Sequence, residues 1–332
     1  MTLLFTLLAC GGSESTLAGA PVEPPVDPVT LTVYSGRSES LVGPLLEQAE
    51  EALSLNIEVQ YGDTPELVTR LLTEGAESPA DVLFAQDSGH LGALAKAGSL
   101  AVLPQDLLAQ VDPRFKDPEG RWIGTSGRLR VLVVNTDLPM DQRPTSLREL
   151  ADPKWKGKLG WAPGNGSFQC HVSALRALWG EEETRTWLQA VQANEPIVYP
   201  KNSPQVEAAN QGEIQIGWVN HYYLHRAEKE GFQAANHSLA PGDAGNVLMV
   251  SGAGLREGSP HAAEGLRLLE WLVGEQAQGV FAQDNFEYPT RPGVPTHERV
   301  PALAPDLLVE VSQTALADLG PTRTLLQELG LQ

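Results

Sequence analysis

The 332-residue chain holds only two cysteines, Cys10 and Cys170. That excludes a disulfide-stapled scaffold and a cysteine-rich zinc or iron–sulfur site. Positive charge is also scarce: 23 Lys and Arg face 42 Asp and Glu, a net charge of −19 at pH 7. Such a balance repels phosphate backbones and anionic lipid surfaces, so nucleic-acid binding is not expected. No apolar run beyond the first ten residues reaches the roughly 18 needed to span a bilayer. Repeats of solenoid or propeller period are missing, as are a GxSxG nucleophile elbow and an HExxH zinc motif. What remains is a globular composition, 42% apolar, with 32 Gly and 25 Pro to form many loops. At about 150 residues per domain, the length predicts two domains or one two-lobed unit.

Residues 1–10 read MTLLFTLLAC, with Leu7-Leu8-Ala9-Cys10 followed by Gly11-Gly12-Ser13. This resembles the lipobox of a bacterial lipoprotein signal peptide, which implies cleavage before Cys10 and lipid attachment to it. The Lys/Arg-rich segment that ordinarily opens a signal is missing, so a short signal or an upstream start is expected. Residues 10–30 include Pro21, Pro24, Pro25 and Pro28 and no apolar periodicity, the composition of an extended tether. The folded unit is expected to begin at Leu31.

From there short apolar runs alternate with helical text: LTVY at 31–34, a helix within 40–53, NIEVQYG at 56–62, a helix at 65–74 and ADVLFA at 80–85. The pattern is βαβαβ, which predicts a mostly parallel sheet covered by helices. Ligands bind at the carboxyl ends of strands in such sheets, which directs attention to the polar loops SGRSES (35–40) and QDSGH (86–90). A second alternating region runs from LRVLVVN (129–135) through KLGWAP (158–163), helices near 169–178 and 181–193, and EIQIGWVN (213–220). The next segment, HYYLHRAEKEG, reads as a helix ending at Gly231. NVLMVSGAGL (246–255) is a third strand region, followed by helical text at 260–283. Two α/β lobes joined by repeated crossings are the architecture of an extracytoplasmic solute-binding protein.

Six tyrosines occur, and two of them, Tyr222 and Tyr223, are adjacent at the end of a predicted buried strand. They either pack two helix faces or present two phenolates to a hard cation. A phenol titrates near 10, so only a strong Lewis acid such as Fe³⁺ displaces its proton near neutral pH. His221 and His225, four apart, read as packing or surface residues. Gly164-Asn165-Gly166-Ser167 precedes an apolar helix and offers backbone N–H groups to an anion. Arg37 and Arg128 flank strands where a guanidinium fork can grip an anion. Cys170 reads as a buried apolar residue.

TVYSGRSESL, SPADVLFAQDSGHLGAL (78–94), SGRLRVLVVN (126–135), PKWKGKLGWAP (153–163), YPKNSPQVEA (199–208) and VNHYYLH (219–225) together carry a family resemblance. The chain is similar to the ferric-ion-binding subunit of bacterial ABC importers, the bacterial transferrins. The resemblance implies a class II, two-lobed periplasmic-binding-protein fold with a hinge. Its N-lobe would comprise 31–127 and about 247–295, its C-lobe 128–246 and about 296–332. It further implies that Tyr222 and Tyr223 bind Fe³⁺ together with a synergistic carbonate or phosphate. Asn165, Gly166 and Ser167 match the phosphate-holding loop, Asn202 and Asn220 match flanking polar contacts, and Arg128 or Arg37 matches the arginine of carbonate-using members. The chain departs from the pattern at Ser38, Glu39, Gln86 and Phe168, where members carry histidine, tyrosine, glutamate and tyrosine respectively. Glu39, Asp87 or water are therefore expected to complete the metal shell. Two phenolates and a dianion exceed the charge of Fe³⁺ by one, which one nearby arginine restores. The expected protein is a monomeric, lipid-anchored, periplasmic or extracytoplasmic carrier that passes iron to an ABC permease and catalyses nothing. The alternative keeps the fold and carries a small organic anion or phosphonate.

Overall fold

The computed structural model describes Met1, residues 29–304 and residues 306–332. Cys10 and most of the tether lie outside the described residues. The first half is built from β1 (Thr30–Ser35), α1 (Glu39–Leu53), β2 (Asn56–Tyr61), α2 (Thr64–Glu74), β3 (Val82–Ala85), α3 (Ser88–Lys96) and α4 (Gln105–Leu108). The long strand β4 (Ile123–Asn135) leads into β5 (Leu159–Trp161), α5 (Gly166–Trp179), α6 (Glu181–Ala193), β6 (Ile197–Val198), α7 (Asn202–Gln211), β7 (Ile216–Asn220), α8 (Tyr222–Ala227) and β8 (Ala234–His237). The chain returns along β9 (Leu248–Leu255), α9 (Ala262–Leu272), α10 (Glu275–Gln283) and β10 (Tyr288–Pro289), and ends with α11 (Gln313–Leu316) and α12 (Leu319–Glu328). Among the described residues no helix is long and apolar enough to cross a membrane.

The strand order is β2-β1-β3-β9-β4-β7-β5-β6, with β8 and β10 also on β4. The expected parallel pairs are present: β1 lies parallel to β2 and β3, and β5 to β6 and β7. The sheet is nevertheless mixed. β9 runs antiparallel to both β3 and β4, and β4 runs antiparallel to β7 and β8. These antiparallel strands carry the chain between the two halves, so the mostly parallel pairing expected holds within each half and gives way at the junction.

β4 is buried along all 13 residues. Its register passes from β9 to β7 in one step, with Leu129 opposite Leu248 and Arg130 opposite Asn220. Each half has its own apolar core. Val33, Phe84, Leu268 and Phe281 lie in one, and Trp161, Phe168, Trp187 and Trp218 in the other. The result is a two-lobed α/β fold whose lobes share strands and a smaller apolar cluster, in which Cys170 and Ala174 of α5 meet Met249 of β9. Helical text at 260–283 resolves into α9 and α10, separated at Val273–Gly274. α8 ends at Ala227, four residues before Gly231, because Glu228 takes an extended conformation (ψ 129°).

His171 sits fully buried on α5, its Nε2–H donating to the Ala244 carbonyl at 2.7 Å. Burial and the charge of Arg130 push its pKa down to about 3. The unfolded chain therefore takes up a proton near pH 6.5 that the folded chain refuses, so this contribution to stability is complete above pH 6.5 and is lost toward pH 3. Denaturant unfolding at pH 7, 5 and 4 should show a smaller loss of stability for His171→Gln than for the parent chain; equal losses would contradict this.

Candidate functional site

Turns at the carboxyl ends of β1, β2, β3, β5, β6 and β7 line one cleft of about 680 Å³. This is the position that strand polarity assigns to a ligand in an open α/β sheet. The loop after β1 is pressed against α2: a Cβ on Gly36 would stand 1.9 Å from Thr64 Oγ1, so only glycine fits. Thr64 Oγ1 in turn accepts the Gln86 N–H at 3.1 Å, which ties the β3 loop to the same wall.

Tyr222 and Tyr223 open α8 and face the cleft with stacked rings, centroids 4.2 Å apart and planes inclined by 28°. Asn236 Nδ2 donates to the His221 carbonyl at 2.8 Å, and the Leu129 N–H donates to His221 Nδ1 at 3.1 Å. Both bonds anchor the turn that presents the tyrosines. Tyr222 is buried, and burial together with Tyr223 raises its pKa well above the ordinary phenol value, while Arg37 and Arg128 act in the opposite direction.

Arg37 also lines the cleft, but its Nη2 donates to both carboxylate oxygens of Glu287 at 2.8 Å, and both side chains are buried. Its Nε and Nη1 have no partner among the described residues. Arg128, on β4, is fully buried and none of its three guanidinium nitrogens has a partner among the described residues. Arg130 donates to Asn220 Oδ1 at 3.2 Å and to the Trp218 carbonyl at 2.9 Å. Burial and Arg128 push its pKa down to about 9. Buried guanidinium charge without a counter-ion is unfavourable by several kcal/mol, so this arrangement invites an anion.

The other expected residues divide between the cleft and its backing. Glu39, Asn165 and Gly166 line the cleft. Asn165 caps α5 by accepting the Ser167 N–H at 3.1 Å, and it accepts from Asn202 Nδ2 at 3.3 Å. Asn220 Nδ2 donates to Ser167 Oγ at 3.3 Å. Asn202, Ser167 and Asn220 are fully buried and brace the loop rather than form its surface. Asp87 lies away from the cleft surface. It caps α3, and its Oδ1 accepts from the His90 N–H at 3.0 Å, His90 Nδ1 at 2.7 Å and Cys170 Sγ at 3.0 Å. Cys170 is buried as expected, but it is a hydrogen-bond donor rather than an apolar filler. Burial and Asp87 raise its pKa well above the usual thiol value, which disfavours a nucleophilic thiolate.

Sequence reasoning missed Tyr61, Asp63, Glu66 and Lys201, all on the cleft wall. Burial and the charges of Glu39 and Glu47 raise the pKa of Tyr61. The strand-end rule that singled out the β1 and β3 loops applies equally to β2 and would have found the first three. Nothing local marks Glu287, which meets Arg37 across 250 residues. The assembled wall offers phenols, carboxylates and the guanidinium of Arg37, a set suited to a hard cation with an accompanying anion.

Residues 77–310 match the family model described as bacterial extracellular solute-binding protein. The Fe(3+)-binding periplasmic protein of Serratia marcescens is 32% identical over 309 residues, covering 91% of this chain and 90% of that one. Iron uptake protein A1 of Synechocystis sp. is 29% identical over 330 residues, with 95% and 89% covered. The crystal structure of iron-bound HitA from Pseudomonas aeruginosa superposes with a TM-score of 0.86 at 32% identity, covering 92% of this chain and all of that one. The chain thus belongs to the bacterial extracellular solute-binding proteins, and these relatives within the family are named for iron.

Proposed function

We propose that the protein captures Fe³⁺ as cargo in the cleft between its lobes and catalyses no reaction. The observation that carries this reading is the stacked Tyr222–Tyr223 pair within the field of Arg128, a buried guanidinium with no partner among the described residues. Phenolates are strong ligands for a hard trivalent ion and poor ones for most others. The arginine charge favours their ionised form and balances a synergistic carbonate or phosphate. The anion is held by Arg128 with the Asn165–Ser167 loop, while Arg37, already paired with Glu287, acts mainly through its field. Glu39 and water complete the shell from the opposite wall, where Tyr61 and Glu66 also stand.

The strand exchange at Leu129–Arg130 supports a hinge there, with 31–127 and about 247–295 as one lobe and 128–246 and about 296–332 as the other. Closure around the ion then excludes water, and opening releases it. The relatives' names, one periplasmic and one for iron uptake, support a carrier outside the cytoplasm, and in our reading it delivers iron to an ABC permease. In our reading the carrier is a monomer tethered to a membrane through lipid on Cys10, so that only the anchor touches the bilayer.

Titration of the soluble domain with chelated Fe³⁺ should produce a broad visible band that saturates at one equivalent. The double variant Tyr222→Phe, Tyr223→Phe should remain colourless; a band retained in that variant would reject the site. Binding displaces phenolic protons, so affinity should fall with pH by up to roughly tenfold per unit for each proton released. Affinities measured by chelator competition between pH 8 and 6 check this, and a pH-independent constant would contradict phenolate ligation.

A further inference from the structure

Between α10 and β10 the chain passes from one apolar core into another. Phe281 packs with Val33 and Phe84, whereas Phe286 and Tyr288 pack with Leu129, Val131 and Leu224. Phe286 makes the turn at φ 59°, a left-handed conformation that is unfavourable for any residue but glycine and persists only where the surroundings hold it. Those surroundings are specific. The Phe286 ring centroid lies 5.7 Å from that of His225 on α8 and 4.6 Å from that of His297, and Arg299 Cζ stands 4.8 Å from it. Arg299 Nη2 also donates to the His225 carbonyl at 2.7 Å, and Tyr288 stacks on His221 with centroids 4.8 Å apart.

Asn285, the residue before this turn, is buried and joins two helices of the cleft wall. Its Oδ1 accepts from Arg226 Nη1 of α8 at 3.0 Å, and its Nδ2 donates to the Leu41 carbonyl of α1 at 3.2 Å. An arginine only donates and a carbonyl only accepts, so the amide fits in one orientation and no hydrogen-bonding group other than an amide serves both partners as well. α8 presents Tyr222 and Tyr223 to the cleft, and α1 presents Glu39 and Leu41. Two hydrogen bonds in series thus connect the tyrosine helix to the helix of the other wall. Each tolerates only a narrow range of length, so drawing α1 away from α8 breaks at least one of them.

We infer that Asn285 is a positioning residue of the carrier: with Arg226 and the Leu41 carbonyl it forms a latch that holds the cleft walls together over the cargo, and breaking it is part of iron release. The clamped turn at Phe286 fixes Asn285 where the chain leaves one core for the other, so the amide stays between the two helices. The inference rests on the ferric reading and the division into lobes proposed above.

The test follows transfer of iron from the loaded protein to an excess of a competing chelator, read as decay of the visible band. Asn285→Ala removes both bonds and should release iron about tenfold faster than the parent, with the band at the same wavelength because no ligand has changed. Arg226→Ala removes one of the same bonds from its exposed end and should accelerate release at least about threefold. The double variant should be no faster than Asn285→Ala, because the two side chains act through one bond. An unchanged rate in folded Asn285→Ala or in Arg226→Ala overturns the inference, as does a double variant in which the two accelerations multiply. A displaced band in either variant also overturns it, since the residue would then be acting on the metal ligands. Arg226 lies on the surface, so its variant decides alone if Asn285→Ala does not fold. Absence of a band in the parent protein refutes the ferric reading instead.

Discussion

Buried positive charge at the junction of the lobes is the constraint on which the site depends. Arg37, Arg128 and Arg130 are all sequestered from solvent near Tyr222 and Tyr223, and among the described residues only Arg37 of the three has a carboxylate partner. Holding such charge out of water is costly unless something negative shares the space. In the proposed site, two phenolates and an oxyanion supply that negative charge. The cation cargo then completes a set in which each component lowers the cost of the others. A chain with a net charge of −19 thus concentrates local positive charge where its anionic partners must assemble.

The scaffold that makes this possible is β4. A strand buried on both faces is ordinarily apolar, yet this one carries Arg128 and Arg130 on either side of the point where its partner changes from β9 to β7. Both lobes contribute to its burial. The strand can therefore bury two guanidinium groups at the junction of the lobes while the main apolar core of each half stays intact. The Asp87–His90–Cys170 cluster performs a related task, linking the N-terminus of α3 to α5 by a hydrogen bond from Cys170.

Much of this was legible in the residues. Alternating apolar runs located β1 to β3, the C-terminal part of β4, β7 and β9, and strand polarity directed attention to the loops holding Arg37, Gln86 and Tyr222. The start of β4, Ile123–Arg128, escaped notice because GTSGR has neither apolar run nor alternation; its burial comes from β9, β10 and the packing of Phe115 against Gly124 and Gly127. Asp87 was one of three candidates, with Glu39 and water, expected to complete the metal shell where the chain departs from the family pattern at Gln86. Its capping of α3 is a local contact with His90, three residues on, whereas its bond from Cys170 spans 83 residues and no local pattern encodes it. The Arg37–Glu287 pair is hidden for the same reason.

Diffraction from crystals grown with Fe³⁺, recorded on both sides of the iron absorption edge, tests the central claim most directly. The account predicts one dominant anomalous peak within bonding distance of both Tyr222 Oη and Tyr223 Oη. A peak at the Asp87–His90–Cys170 cluster, with none at the tyrosines, would contradict it.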